Sequence, residues 1–306
     1  MSFPAPSSRL GAFSPAAAGI GLYILAIMTL VLMDSVAKAL SAHLPVVQVL
    51  WARYVGQTVL VMAIVAPRLA SVVRTRHPWL QGLRSLFMLV ASGAFFLAIS
   101  RMGLAEATAI MDLNPLLITL GAALFLGERF GIRRAAGIGA ALVGAMIIIR
   151  PGSEVFSPVA VLPLIAAIFY AGFAIATRKV GRDEDPWTSL FYAALMGAAV
   201  MSVVVVPVWV RPEGVAIVLM LVIGALGALG QLLVIRALML AEASAVAPFS
   251  YVGLIFAALW GALFFGEYPD GPTYLGAAII VAAGLYVWHR ETREARRAKA
   301  LAEPRP

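Results

Sequence analysis

The sequence predicts an all-α polytopic membrane protein, with ten transmembrane helices built as two inverted five-helix repeats. Three observations predict it. Of the 306 residues, 62% are hydrophobic and 12% charged, where a soluble domain carries about 25% charged residues. Apolar stretches recur from residue 16 to residue 289, long enough to cross a bilayer core of about 30 Å as helices. A phrase is also written twice: LAEATA at 104–109 and LAEASA at 240–245 each open a long apolar run. Backbone polar groups in lipid need internal partners, so only helices and closed barrels cross it. Period-two alternation is missing, which leaves helices.

Breaks at proline, glycine and charge clusters place the spans at 16–40, 46–66, 79–100, 104–126, 135–149, 157–178, 187–209, 215–238, 242–265 and 272–289. The first has no clear small-residue cleavage site and reads as a retained helix, not a signal peptide. The second follows Pro45 and the third Pro78. The fourth opens with LAEATA and closes at Gly127-Glu128, and a glycine-rich fifth follows Arg133 and Arg134. The sixth ends at Arg178-Lys179, the seventh follows Pro186 and the eighth Pro212. The ninth opens with LAEASA and closes at Gly266-Glu267, and a glycine-rich tenth ends at His289. The chain then divides into a segment 1–15, repeats over 16–150 and 151–289, and a basic tail 290–306.

The formal charge of +8 reads as topology. With the N-terminus in the cytoplasm, only Lys38, Arg101, Arg150 and Arg211 of the 23 basic residues fall outside; Arg53 and Arg84 lie within spans, and the rest fall inside. That bias predicts two cytoplasmic termini and accounts for the basic charge without a nucleic-acid partner. The tail HRETREARRAKALAEPRP is a solvated orienting segment or a helix lying on anionic lipid. The absence of cysteine excludes disulfides and thiolate metal sites. None of Lys38, Lys179 and Lys299 follows a glycine, so there is no phosphate loop of an ATP-driven pump. His43, His77 and His289 lie at span ends or in loops, too far apart for a metal motif. No metal and no cofactor is expected.

The repeat extends beyond six residues. Gly127-Glu128 and Gly266-Glu267 each precede a glycine, Gly137 or Gly276, at the same spacing, and Lys38 stands to Pro45 as Lys179 stands to Pro186. Five spans per copy turn the second copy upside down. The loops agree: Arg129, Arg133 and Arg134 follow Glu128, whereas Asp270 and no basic residue follows Glu267 before the next span. Inverted repeats are a plan of secondary transporters, with the substrate site near the midplane.

Ionisable groups in mid-span cost about 2.5–3.5 kcal/mol on insertion scales and usually face a cavity or a partner. Asp34 is one turn from Lys38, which reads equally as a proton- or substrate-sensitive gate and as a structural pair. In the second copy Ile175 stands in the place of Asp34. Span two puts Arg53 and Gln57 on one face and Trp51 and Tyr54 on another. An arginine there can hold a carboxylate, and the aromatics either bracket a substrate or form an interfacial belt. Arg84 reads as snorkelling to the cytoplasmic face. Thr108, Asp112, Pro115 and Thr119 form one polar stripe, and Asn114-Pro115 predicts a bend near mid-span. The ninth span answers with Pro248, Ser250 and Tyr251. Gly224, Gly227 and Gly230 predict close helix packing, with Gln231 aimed inward. Glu106 and Glu242, at helix starts, read as caps.

On these residues the chain resembles the drug/metabolite transporter superfamily, specifically its EamA-type members. The Gly-Glu closing the fourth and ninth spans carries the resemblance, as do the glycine-rich fifth and tenth spans. So do the phrases MDSVAKALSAHLPVVQVLWARY and LAEATAIMDLNPLL, which look like those of bacterial members. The resemblance implies a secondary transporter of the bacterial inner membrane that exports amino acids, aromatic ones included, or related metabolites. Uptake of a compound such as riboflavin or S-adenosylmethionine is the alternative. The expected partners are a small-molecule substrate and membrane lipid, with proton coupling left open and the protein a monomer or a homodimer. The residues expected to bind substrate are Asp34, Trp51, Arg53, Tyr54, Gln57, Thr108, Asp112, Asn114, Gln231, Ser250 and Tyr251. Lys38, Pro115 and Pro248 are expected to gate or bend. A passive channel and an intramembrane enzyme using an Asp34–Asp112 carboxylate pair are the competing classes.

Overall fold

In a computed structural model, residues 15–126, 132–151, 157–180, 184–241 and 246–302 are described. Two expected features, the cap at Glu242 and the Gly127-Glu128 turn, lie outside them. The first half comprises α1 (Pro15–Ser41), α2 (Val46–Val65) with a short α3 (Leu69–Val72), α4 (Pro78–Ile99), α5 (Leu104–Met111), α6 (Asn114–Leu126) and α7 (Ile132–Ile149). The second comprises α8 (Val161–Val180), α9 (Pro186–Val204), α10 (Val215–Leu240), α11 (Val252–Phe265) and α12 (Gly271–Ala302). Among the described residues nine helical stretches are long and apolar enough to cross a membrane. The remaining crossing is α7, whose 18 residues span about 27 Å at 1.5 Å per residue.

The fourth crossing is broken where its sequence bends. α5 ends at Met111, Asp112 and Leu113 form a turn, and α6 begins at Asn114. Pro115 has no N–H to return to the Met111 carbonyl, so one rung of the ladder is lost there. The ninth crossing shows the related device, a 3₁₀ turn over Ala247–Tyr251 ahead of α11.

The helix packing is unchanged when the halves are exchanged. α1 packs on α10 as α8 packs on α4, α2 on α10 as α9 on α4, and α1 on α11 as α8 on α6. Two further pairs, α2–α9 and α7–α12, join corresponding helices to one another. Since each half crosses five times, the axis relating them lies in the membrane plane. Packing of α7 on α12 shows the symmetry residue by residue. Gly137 abuts Ala283 and Val287, while Gly276 abuts Gly144 and Ile148 at the same spacing. Lipid is as apolar as leucine, so close backbone approach through small residues holds such helices together. At the α2–α10 crossing Gly56 and Gly224 meet backbone to backbone, and a Cβ on Gly224 would lie 2.6 Å from the Gly56 Cα.

Candidate functional site

That glycine contact brings the polar face of α2 against α10. A cavity of about 400 Å³ runs from Arg53, Gln57 and Gln231 in mid-span to Glu184 and Pro186 at the α8–α9 turn. Arg84, Tyr170, Phe173 and Thr177 complete its polar and aromatic wall. Arg53 is 4% exposed and lies over the rings of Tyr54 and Phe96, 5.1 and 5.2 Å from their centroids. Its Nε has no hydrogen-bond partner. Asp34, half-buried on α1, is within electrostatic reach of Arg53. A guanidinium stacked on two rings and left with an open N–H beside a cavity is suited to a planar anionic group.

The neighbouring Arg84 behaves differently. It does not snorkel: it is 5% exposed, donating from Nε to Thr177 Oγ1 at 3.0 Å and from Nη1 to Gln81 Oε1 and the Ser189 carbonyl at 3.0 and 2.7 Å. Phe173 underlies it at 4.8 Å. These bonds tie α4, α8 and α9 together at the mouth of the cavity.

The opposite end of the bundle holds an ion pair between residues remote in sequence. Lys38 does not pair with Asp34. Its Nζ meets Glu267 Oε1 at 2.7 Å and donates to the Ile99 and Met102 carbonyls at 2.9 and 2.5 Å. Glu267 Oε2 accepts the Leu104 N–H at 3.0 Å, so Glu267, not Glu106, caps α5. The Gly-Glu phrase now has a physical reading. Gly266 adopts φ of 65°, the left-handed region that glycine enters freely. The chain thereby reverses at the end of α11 and points the carboxylate back at α1 and α5. Lys38 and Glu267 join α1, the α4–α5 connection and the α11–α12 loop, while Lys179, the repeat counterpart of Lys38, is exposed.

The stripe on the fourth crossing resolves into unlike parts. Thr108 and Thr119 donate to carbonyls of their own helices, Leu104 and Pro115, at 2.8 and 3.1 Å. Asp112 is 9% exposed and its Oδ2 has no partner. Tyr23 and Tyr251 are within its electrostatic reach, and Tyr23 within that of Tyr170. The Tyr251 hydroxyl fits the space over Gly284, where a Cβ would collide with it. Asn114 and Pro115 open α6, and Pro248 and Ser250 are half-buried in the 3₁₀ turn.

Of the expected residues, then, Arg53, Tyr54, Gln57 and Gln231 line one cavity. Trp51 is turned away, donating to Ser202 Oγ at 3.0 Å and packing edge-on to Trp209 in a separate apolar groove between α2 and α10. The Tyr54 hydroxyl is engaged by Ser92 Oγ at 3.2 Å. Tyr170 and Phe173 carry no signal in the sequence, and Glu267 stands there only in the twice-written Gly-Glu, with no partner indicated. No group of three His, Asp or Glu that could hold a metal converges among the described residues.

The profile of the EamA-like transporter family matches residues 17–150 and 157–288, one copy for each half. The chain belongs to the EamA-like transporter family. Among its relatives is the pseudopaline exporter CntI of Pseudomonas aeruginosa, 34% identical over 278 residues that make up 87% of this chain and 94% of the relative. The riboflavin transporter of Vibrio cholerae is 33% identical over 64% of this chain and 66% of its own. The S-adenosylmethionine uptake transporter of Rickettsia felis is 26% identical over 90% and 94%. A solved crystal structure superposes with a TM-score of 0.63 at 22% identity, covering 92% of this chain and 98% of the other. Family and relatives are transporters, not enzymes, so the polar cavity belongs to an EamA-type membrane transporter.

Proposed function

We propose that the protein exports small carboxylate-bearing metabolites, amino acids among them, across the bacterial inner membrane by alternating access. The observation that carries this reading is Arg53: a buried guanidinium with an unpartnered Nε, in a cavity that extends to the α8–α9 turn. The other end of the bundle is held by Lys38 and Glu267. With both termini cytoplasmic, as the charge bias favours, the cavity faces the cytoplasm and the ion pair seals the outer face. Substrate carboxylate would dock on Arg53 with Gln57 and Gln231 beside it. Rocking of the halves would then part Lys38 from Glu267 and close the cytoplasmic mouth. Export is supported by the 34% identity to a pseudopaline exporter over 87% of the chain.

A second reading is uptake of a compound such as riboflavin or S-adenosylmethionine. Its specific support is that relatives carrying those names match as well.

Counterflow in proteoliposomes tests the carrier. Preloaded amino acids should accelerate saturable entry of the labelled compound, and Arg53→Gln should abolish it while leaving the protein monodisperse. Linear, unsaturable flux across a broad metabolite panel would reject a carrier of such compounds. Efflux from preloaded cells then separates the directions, since an uptake system would retain the label that an exporter loses.

A further inference from the structure

The α2–α10 crossing carries a second concave feature, the apolar groove that holds Trp51, and it shares no lining residue with the Arg53 cavity. Gly56 and Gly224 meet backbone to backbone at its floor. The short side chains of Ala52, Val55 and Ala225 leave a furrow of about 580 Å³ between the helices. Exposed Val59, Ile217 and Leu221 form its rims. Its length is that of one leaflet. From Trp51 to Leu60 on α2 it covers about 14 Å, and from Ile217 to Ala225 on α10 about 12 Å, at about 1.5 Å per residue. The hydrocarbon core is about 30 Å thick. The groove therefore stops near mid-membrane, while α2 continues to Val65 and α10 to Leu240. A spanning helix of a second copy would need the full thickness; an acyl chain ends halfway.

The two ends differ in kind. At mid-membrane the lining is wholly aliphatic. At the other end Trp51 and Trp209 meet edge-on, 5.1 Å between centroids, amphipathic rings of the sort that sit at headgroup level. Beyond them the connection before α10 is pinned to α2: the Gln48 amide donates to the Val210 carbonyl at 2.8 Å and accepts the Val210 N–H at 3.0 Å. Arg211 and Glu213, both exposed, flank Pro212, which itself lines the groove. A cation and an anion two residues apart complement a phosphate and an ammonium. A purely anionic headgroup would bring its charge to Glu213 as well as to Arg211, so the pair selects a zwitterion.

We propose that this groove is a phospholipid site: it seats one acyl chain of a lipid with a phosphate–primary ammonium headgroup, phosphate on Arg211 and ammonium on Glu213. The lipid belongs to the leaflet at the Lys38 end of the bundle, where α2 begins. Its chain fills the furrow behind the Gly56–Gly224 contact and so backs the two helices whose other faces carry Arg53, Gln57 and Gln231. The site is independent of what the cavity carries.

Native mass spectrometry of the full-length, delipidated protein in detergent tests this, with dioleoyl phosphatidylethanolamine, phosphatidylglycerol and phosphatidylcholine added in turn. Wild type should bind one phosphatidylethanolamine at least about threefold more tightly than either other lipid, the scale of one exposed charge pair. Arg211→Gln should weaken that binding by a similar factor. Glu213→Gln should erase the preference over phosphatidylglycerol while binding persists. Ala225→Phe fills the furrow from an exposed position and should weaken all three lipids alike by about tenfold, as the displacement of two methylenes would. The two loop variants keep the test open should Ala225→Phe not fold. Equal affinity for the three lipids, tighter phosphatidylglycerol binding, or unchanged binding in Ala225→Phe would overturn the proposal. So would a wild-type dimer that Ala225→Phe dissociates, which would assign the groove to a second copy of the chain.

Discussion

Glu267→Gln gives the most direct handle on the Lys38–Glu267 pair. The substitution keeps an oxygen to accept the Leu104 N–H but removes the charge that faces Lys38 Nζ at 2.7 Å. Lys38 retains the Ile99 and Met102 carbonyls, so the ammonium is not stranded. A charge-assisted bond is worth about 1.5–3 kcal/mol. The side chains here are 12% and 32% exposed, and water screening at that exposure puts the loss near the bottom of the range, about 1.5 kcal/mol. If the pair exists only while this end is closed, the open population rises by about tenfold. The chain has no cysteine, so one can be introduced without background. Ala37, fully buried one residue before Lys38, is a suitable site. Labelling of Ala37→Cys by a membrane-impermeant maleimide should accelerate about tenfold in the Glu267→Gln background at low reagent, where the rate follows the open fraction. Lys38→Met should act in the same direction, and the double variant should exceed either single variant by little, because both remove one interaction. An unchanged labelling rate in Glu267→Gln, or fully additive effects in the double variant, would refute the reasoning.

Three other outcomes follow from the packing. Gly224→Val places a side chain against the Gly56 backbone, where even a Cβ would lie 2.6 Å from the Cα; a loss of at least about 1–3 kcal/mol is expected, read as a lower melting temperature in detergent. Arg84 and Arg53 should behave oppositely. Arg84→Met breaks three hydrogen bonds among α4, α8 and α9 and should lower stability by about 2–4 kcal/mol, whereas Arg53→Met removes an unsatisfied group and should leave the melting temperature near wild type while abolishing flux. At the α12 start, hydrogen bonds from Thr273 and Arg150 hold the Asp270 carboxyl down at about 2, below the unfolded value of about 3.9. A depressed pKa contributes stability that is present above the unfolded value and lost as pH falls through the folded one. The melting temperature of wild type should therefore fall from about pH 4 toward pH 2 more steeply than that of Asp270→Asn.

Much of the candidate site was legible along the chain because it follows helical periodicity. Arg53 and Gln57 are one turn apart, so their shared face could be read directly, and Gln231 follows a glycine that marks a close approach. Arg84 was misread because a lone arginine near a helix start has the same local pattern whether it snorkels or is tied down. Its ties, Thr177 and Ser189, come from the other half of the protein. Asp34 reads as one possible partner of Lys38 for the same reason. Spacing of four residues offers a local partner, and nothing nearby in sequence announces a carboxylate at position 267. Trp51 and Arg53 are separated by one residue, yet the helix turns them to different grooves, and only the identity of the packed neighbours says which groove is polar.

What the sequence by itself determined is therefore the architecture: apolar length decides that the chain crosses lipid, and the odd number of crossings in each written copy inverts the second. These depend on local hydropathy and on repetition, which survive without knowledge of contacts. Only the tertiary structure decided which carboxylate meets Lys38, that of Glu267, and which acid is left with a bare oxygen, Asp112. Both turn on distances of a few ångströms between helices remote in sequence, where one turn of rotation separates a bonded charge from an unpaired one.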